Sequence, residues 1–187
     1  MFIYFLLYRI CQLYILYILT INYLKRLLRD YNHSQTLLSF ISPSLSWLGN
    51  LNKIRALHLS DINLVGEIPL SLGNMTRLSQ LHLSKNRLTG KIPLWISNLT
   101  QLTLVHLRHN ELHGPIPESM SKLVNLEELK LEYNQLSGTI KFSMFASLKH
   151  LTMLQIRRNN LTVLTTISDN TTLPKFKYLV LGDCNLK

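Results

Sequence analysis

LSQLHLSKNRLTGKIPLWISNLTQ, residues 78–101, decides the fold. Leu78, Leu81, Leu83 and Leu88 hold its first, fourth, sixth and eleventh positions, Asn86 the ninth and Gly90 the thirteenth, with Ile92 and Pro93 after them. Shifting the chain against itself by 24 residues brings the pattern back, as IRALHLSDINLVGEIPLSLGNMTR over 54–77 and LTLVHLRHNELHGPIPESMSKLVN over 102–125. Self-similarity at one fixed period of this length marks a stacked-repeat architecture, in which each unit contacts its neighbours.

Each position of the unit has a physical reason. The Leu81-His82-Leu83 core reads as a short strand, because successive side chains of a strand point to opposite faces. A strand of about four residues cannot bury its apolar side alone, so it needs a like neighbour on either hand. Asn86 follows where the chain turns inward; its amide can bond backbone groups of its own turn and the next, giving a ladder. Asn110, Asn134, Asn159 and Cys184 fall in the same column, whereas Ile62 breaks it and predicts the least well-held turn. Gly90 admits a left-handed backbone and Pro93 an extended one.

Working outward, the units run 54–77, 78–101, 102–125, 126–150 and 151–175, with a partial unit at 176–187. The fourth has Lys141 where proline stood, and the fifth loses both the glycine and the Ile-Pro pair. Residues 31–53 read as the second half of a unit, serving as a makeshift cap; the positions where its strand belongs are Asp30, His33 and Gln35. Residues 1–30 form an apolar N-terminal segment. Within it, residues 1–24 carry Arg9 as their one charge and, as a helix, span about 36 Å, enough for a hydrocarbon core of about 30 Å. The expectation is an uncleaved membrane anchor, against the alternative of a non-native start. A cleavable signal fits poorly, since Ala56 is the first alanine in the chain.

The motif Leu-x-Gly-x-Ile-Pro at Leu64–Pro69, Leu88–Pro93 and Leu112–Pro117, with the 24-residue period, resembles the plant-specific class of extracellular leucine-rich repeats. The resemblance covers about residues 40–187, and FKYLVLGDCNL at Phe176–Leu186 is similar to repeats of plant receptor-like proteins. It implies an α/β repeat solenoid, a right-handed superhelix with a parallel β-sheet on its concave face, here preceded by an apolar N-terminal helix. In that family the ectodomain holds many more repeats, a cysteine-paired N-terminal cap and a single membrane span, with or without a kinase. The chain lacks those cysteines and any kinase motif, so the expectation is a fragment or a truncated relative.

The exposed strand positions would form the working face. One column there is His58, His82 and His106, then Lys130; the next holds Arg108, Glu132 and Arg157; a third holds Lys85, His109, Tyr133 and Arg158. Imidazoles at strand spacing suggest pH responsiveness near 6.5, while the absence of an evident carboxylate beside them argues against a metal. Glu132 between two arginines reads as an exposed charge ladder, and Tyr133 as an anchor for a peptide or protein ligand. No phosphate loop, zinc spacing, nucleophile elbow or kinase signature occurs, so no catalytic residue, cofactor or enzymatic activity is expected. Net charge is +10. Residues 1–53 hold five Lys/Arg and one acid, and the rest fifteen against nine, a dispersion that argues against nucleic acid. Sequons at Asn32, Asn74, Asn98, Asn160 and Asn170 exceed the roughly two expected by chance and suggest the secretory pathway.

The function expected is a protein- or peptide-binding module of a receptor-like protein, in cell-surface signalling or defence, with a co-receptor as a further partner. It would sit at the plasma membrane with its repeats outside. The alternatives are a secreted protein resembling the inhibitors of microbial polygalacturonases, and a truncated product without independent activity.

Overall fold

The computed structural model describes residues 52–166 and 171–187, with a two-residue strand at Leu19–Thr20. The expected cap at 31–51 and the rest of the apolar segment, including the helix and membrane span read there, lie outside the described residues. Leu19–Thr20, inside that segment, is a strand and not part of a helix. It pairs with Leu57 and His58, taking the edge that the sequence register assigned to Asp30–Gln35. Among the described residues no helix is long and apolar enough to cross a membrane.

Six further strands complete one parallel sheet: Ala56–His58, Gln80–His82, Leu104–His106, Glu128–Lys130, Met153–Gln155 and Tyr178–Val180. They stack in sequence order with no slip of register, so that Leu57, Leu81, Val105, Leu129 and Leu154 form one row. That row is buried to within 1% of its surface. A one-residue slip would turn the whole row to solvent, which is why the apolar pattern fixes the register.

The opposite side carries the helical part of the solenoid. Its helical segments are short 3-10 turns at Leu70–Asn74, Leu94–Asn98, Glu118–Lys122 and Phe142–Ser147. Proline precedes each of the first three in extended conformation (φ −61°, −69° and −62°), and a buried leucine or methionine follows each turn. The period leaves room for a single turn only, which suits the tighter helix.

Between the two sides run further strands absent from the sequence reading: Val65–Glu67 beside Arg87–Thr89, and His113–Gly114, Gln135–Lys141, Asn160–Leu164 and Asn185–Leu186 together. The longest is Gln135–Lys141, in the unit where lysine replaces proline. Proline has no N–H to give a ladder, so losing it lets the strand run on, with Lys141 pairing Leu164. The extra residue of this unit is absorbed in the turn that carries Phe142 and Phe145, whose rings meet edge to face at 5.6 Å.

Candidate functional site: the open face of the parallel sheet

The turn after each strand explains how the face is held. Asn86 donates through Nδ2 to the carbonyls of Leu59 (2.8 Å) and Leu83 (2.9 Å), and its Oδ1 accepts from the N–H of Ile62 and Leu64. Asn110, Asn134 and Asn159 repeat the arrangement, each bridging two carbonyls one unit apart and accepting from one N–H. Ile62 makes no such bridge; Asn86 reaches back to its N–H instead, so that turn has one polar neighbour in place of two. Cys184 reaches the carbonyl of Ile156 at 3.6 Å. Burial and the nearby Asp183 push its thiol pKa up, which leaves it a weak donor.

The residue before each ladder position is left-handed: Asp61, Lys85, His109, Tyr133, Arg158 and Asp183 have φ between 54° and 62°. This is the third column of the sequence reading, and the conformation belongs to the turn, since very different side chains share it. It swings these side chains to the rim of the face.

The histidine column forms as spaced. His58 and His82 ring centroids lie 4.1 Å apart, and His82 and His106 meet edge to face at 4.5 Å. Two expectations need correcting. A carboxylate is present: Glu128 Oε2 lies 2.9 Å from His106 Nε2 and 2.7 Å from Lys130 Nζ. Glu128 escaped the sequence reading, although it sits two residues before Lys130 on one strand and so on the same face. Burial alone would raise its pKa, but the hydrogen bonds from Lys130 and His106 prevail and hold it below the usual range.

The second correction concerns titration. Burial, then the neighbouring His106, His58 and Lys130, push His82 from 6.5 down to about 4. Burial and Lys130 also lower His106, against the pull of Glu128. His82 therefore stays neutral near pH 6.5. Nε2 of both His58 and His82 is buried with no hydrogen-bond partner among the described residues. Among the described residues no group of three or more His, Cys, Asp or Glu is placed to hold a metal.

The charged columns also differ from the ladder expected. Glu132 is only 3% exposed, with Arg108 Nη1 3.7 Å from Oε1 and, among the described residues, no hydrogen-bond partner for Oε2. Arg157, its other expected partner, instead places Cζ 5.2 Å above the Tyr133 ring. Tyr133 also stacks on His109 at 4.3 Å, nearly parallel. Arg158 pairs with Asp183 at 3.0 Å, both exposed. Lys85 stands exposed at the rim. The face thus holds two linked clusters, one of imidazoles with Glu128 and Lys130, the other of arginines around Tyr133 and Glu132. Of the sequons, Asn74 and Asn98 close 3-10 turns and Asn160 opens a strand, all exposed and away from this face. Asn32 and Asn170 lie outside the described residues.

The family model described as leucine rich repeat matches residues 76–136. Among solved structures, a TDR receptor superposes with a TM-score of 0.70 at 33% identity, over 75% of this chain and 24% of that one. The complex of BIR3 with SERK2 from Arabidopsis thaliana gives 0.56 at 33% identity, over 70% and 68%. The ectodomain of the Arabidopsis thaliana receptor kinase GASSHO1/SCHENGEN3, solved with CASPARIAN STRIP INTEGRITY FACTOR 2, gives 0.63 at 29% identity, over 78% and 20%. The chain thus spans about a quarter of the TDR receptor chain. No curated protein sequence matches it significantly.

Proposed function

Since the chain belongs to the leucine-rich repeat family of plant receptor-ectodomain type, we propose that it is a non-catalytic binding module that takes a peptide or protein on the open face of its parallel sheet. The observation that carries this reading is the in-register array running from His106 to Arg158. There, Arg108, Lys130, Tyr133 and Arg157 stand on neighbouring strands over a fully buried leucine row. A rigid sheet presenting aromatic and arginine groups is the composition of a protein-contact surface. Strands about 4.8 Å apart make the face about 24 Å wide over six strands, which suits a short extended peptide or one edge of a larger interface.

Two relatives support the kind of partner: one was solved in complex with CASPARIAN STRIP INTEGRITY FACTOR 2, the other as a complex of BIR3 with SERK2. By extension, a co-receptor is the second partner class, and an extracellular, glycosylated placement with a role in signalling or defence is part of the same proposal.

A displayed random-peptide library selected on the immobilised full chain tests it. Enriched peptides should lose binding at least about tenfold to a chain carrying Arg108→Ala and Tyr133→Ala. Selection that yields no binder, or binders indifferent to these changes, would overturn the reading.

A further inference from the structure

Tyr133 is the largest side chain of its column, and two side chains lie against its ring. His109 stacks on it and Arg157 lies over it. The two covers differ in kind. His109 belongs to the preceding turn of the same column, held left-handed like Tyr133 itself. Arg157 is an exposed, flexible side chain from the next strand, and its contact with the ring is a surface cation–π interaction, among the weaker contacts a protein makes.

Beside it lies an unmet demand. Glu132 is buried, its Oε1 lies 3.7 Å from Arg108, and among the described residues its Oε2 has no hydrogen-bond partner. A buried carboxylate oxygen without a donor is costly, and a guanidinium is the donor that best satisfies it. Glu132 and Arg157 occupy equivalent places on adjacent strands, three residues beyond the paired Leu129 and Leu154. Strands about 4.8 Å apart put Oε2 within a rotamer change of the Arg157 guanidinium. One guanidinium therefore has two seats, and it occupies the one that hides Tyr133.

We infer that Arg157 is a movable cover over an aromatic recognition site at Tyr133, that it transfers to Glu132 when a ligand arrives, and that the ligand group admitted is an aromatic side chain. This rests on the proposed peptide-binding role and specifies which side chain the face selects. Charge decides between the planar groups that could stack on the exposed ring. Arg157 lies over it, Arg108 pairs with the adjoining Glu132, and Arg158 pairs with Asp183. A guanidinium from the ligand would be a fourth such cation in a region already in positive excess. A neutral aromatic ring brings no charge and regains the stacking that Arg157 gives up.

The test uses the full chain and three probes, N-acetyl-tyrosinamide, N-acetyl-argininamide and N-acetyl-leucinamide, titrated while the Tyr133 ring and Arg157 Nε–H signals are followed by NMR. The tyrosine probe should bind tightest of the three and shift both signals together. Arg157→Ala removes the cover and should tighten that probe about threefold; Glu132→Gln removes the landing charge and should weaken it by a similar factor. Arg157 is exposed, so its alanine variant decides the matter even where Glu132→Gln does not fold. Unchanged or weaker binding by Arg157→Ala, equal binding of the arginine probe, or no binding at all would each overturn the inference. Peptides selected on the face that still need Arg108 and Tyr133 would, in any of those cases, leave the binding role standing and remove only the cover.

Discussion

Leu154 and Leu179 hold the same place in consecutive units and pair directly across the sheet, yet Leu154 is fully buried and Leu179 is 43% exposed. The polar column shows the same divide. Asn159 makes four backbone bonds spanning two units, whereas Cys184 offers one weak contact and its unit leaves Tyr178 and Leu186 more than half exposed. How firmly a unit is held depends on its own ladder residue and on how closely the neighbouring unit packs over its leucines. Stability in such a stack is a sum of neighbour terms, and a residue is buried by the unit that follows it as much as by its own.

The sharpest test of that contrast is to cut the same side chain in both places. Leu129→Ala, in the interior row, should cost about 3 kcal/mol in a urea melt, since transfer and cavity terms add. Leu179→Ala should cost under about 1 kcal/mol because much of the side chain is in water already. Equal losses would break the comparison. The ladder should follow suit at slightly smaller size. Asn110→Ala strands the carbonyls of Leu83 and Leu107 and the N–H of Leu88, a loss of about 2 kcal/mol. Cys184→Ala should cost under about 0.5 kcal/mol, given its single long contact.

Acid should also find the middle of the sheet before its end. Between pH 6.5 and about 4 the unfolded chain binds a proton on His82 that the folded chain refuses. Stability present above 6.5 is therefore lost progressively as the pH falls through that window, and His106 adds to the loss in the same direction. His82→Gln should flatten the dependence of the urea midpoint on pH; an unchanged slope would show that the column does not carry it.

Two smaller substitutions sharpen the picture further. Gly90 and Gly66 are both left-handed, at φ +78° and +84°, but a Cβ on Gly90 would lie 2.8 Å from Glu67 Cγ in the adjoining unit, while Gly66 has nothing within 4 Å. Gly90→Ala should thus cost more than Gly66→Ala, for which about 1 kcal/mol of backbone strain is the whole effect. Cys184→Asn should restore part of the ladder at the exposed end, for a gain of about 0.5 kcal/mol.

Much of this was legible before any coordinates. The spacing of Leu81, Leu83 and Asn86 gave the strand, the turn and the column to which each side chain belongs, because a stack repeats one local geometry. The columns of His58, His82 and His106 and of Arg108, Glu132 and Arg157 follow from the same spacing. Their chemistry was less legible. Glu128 was missed because it lies on the other side of the buried Leu129 from Lys130, and only the diagonal across strands brings it to His106. Glu132 was read as an exposed ladder member, since nothing local shows that its neighbours close over it. The second set of strands went unread because its segments are two to seven residues long and carry no period of their own.

By itself, then, the sequence determined the repeat, its register and which residues share a column, all of which depend on spacing along the chain. The tertiary structure alone decided which of those residues lose contact with water, which partner Arg157 takes, and where the imidazoles titrate. Burial, ring stacking and proton affinity are set by distances of a few ångströms between units, and a single unit contains no information about the orientation of the next one's side chains.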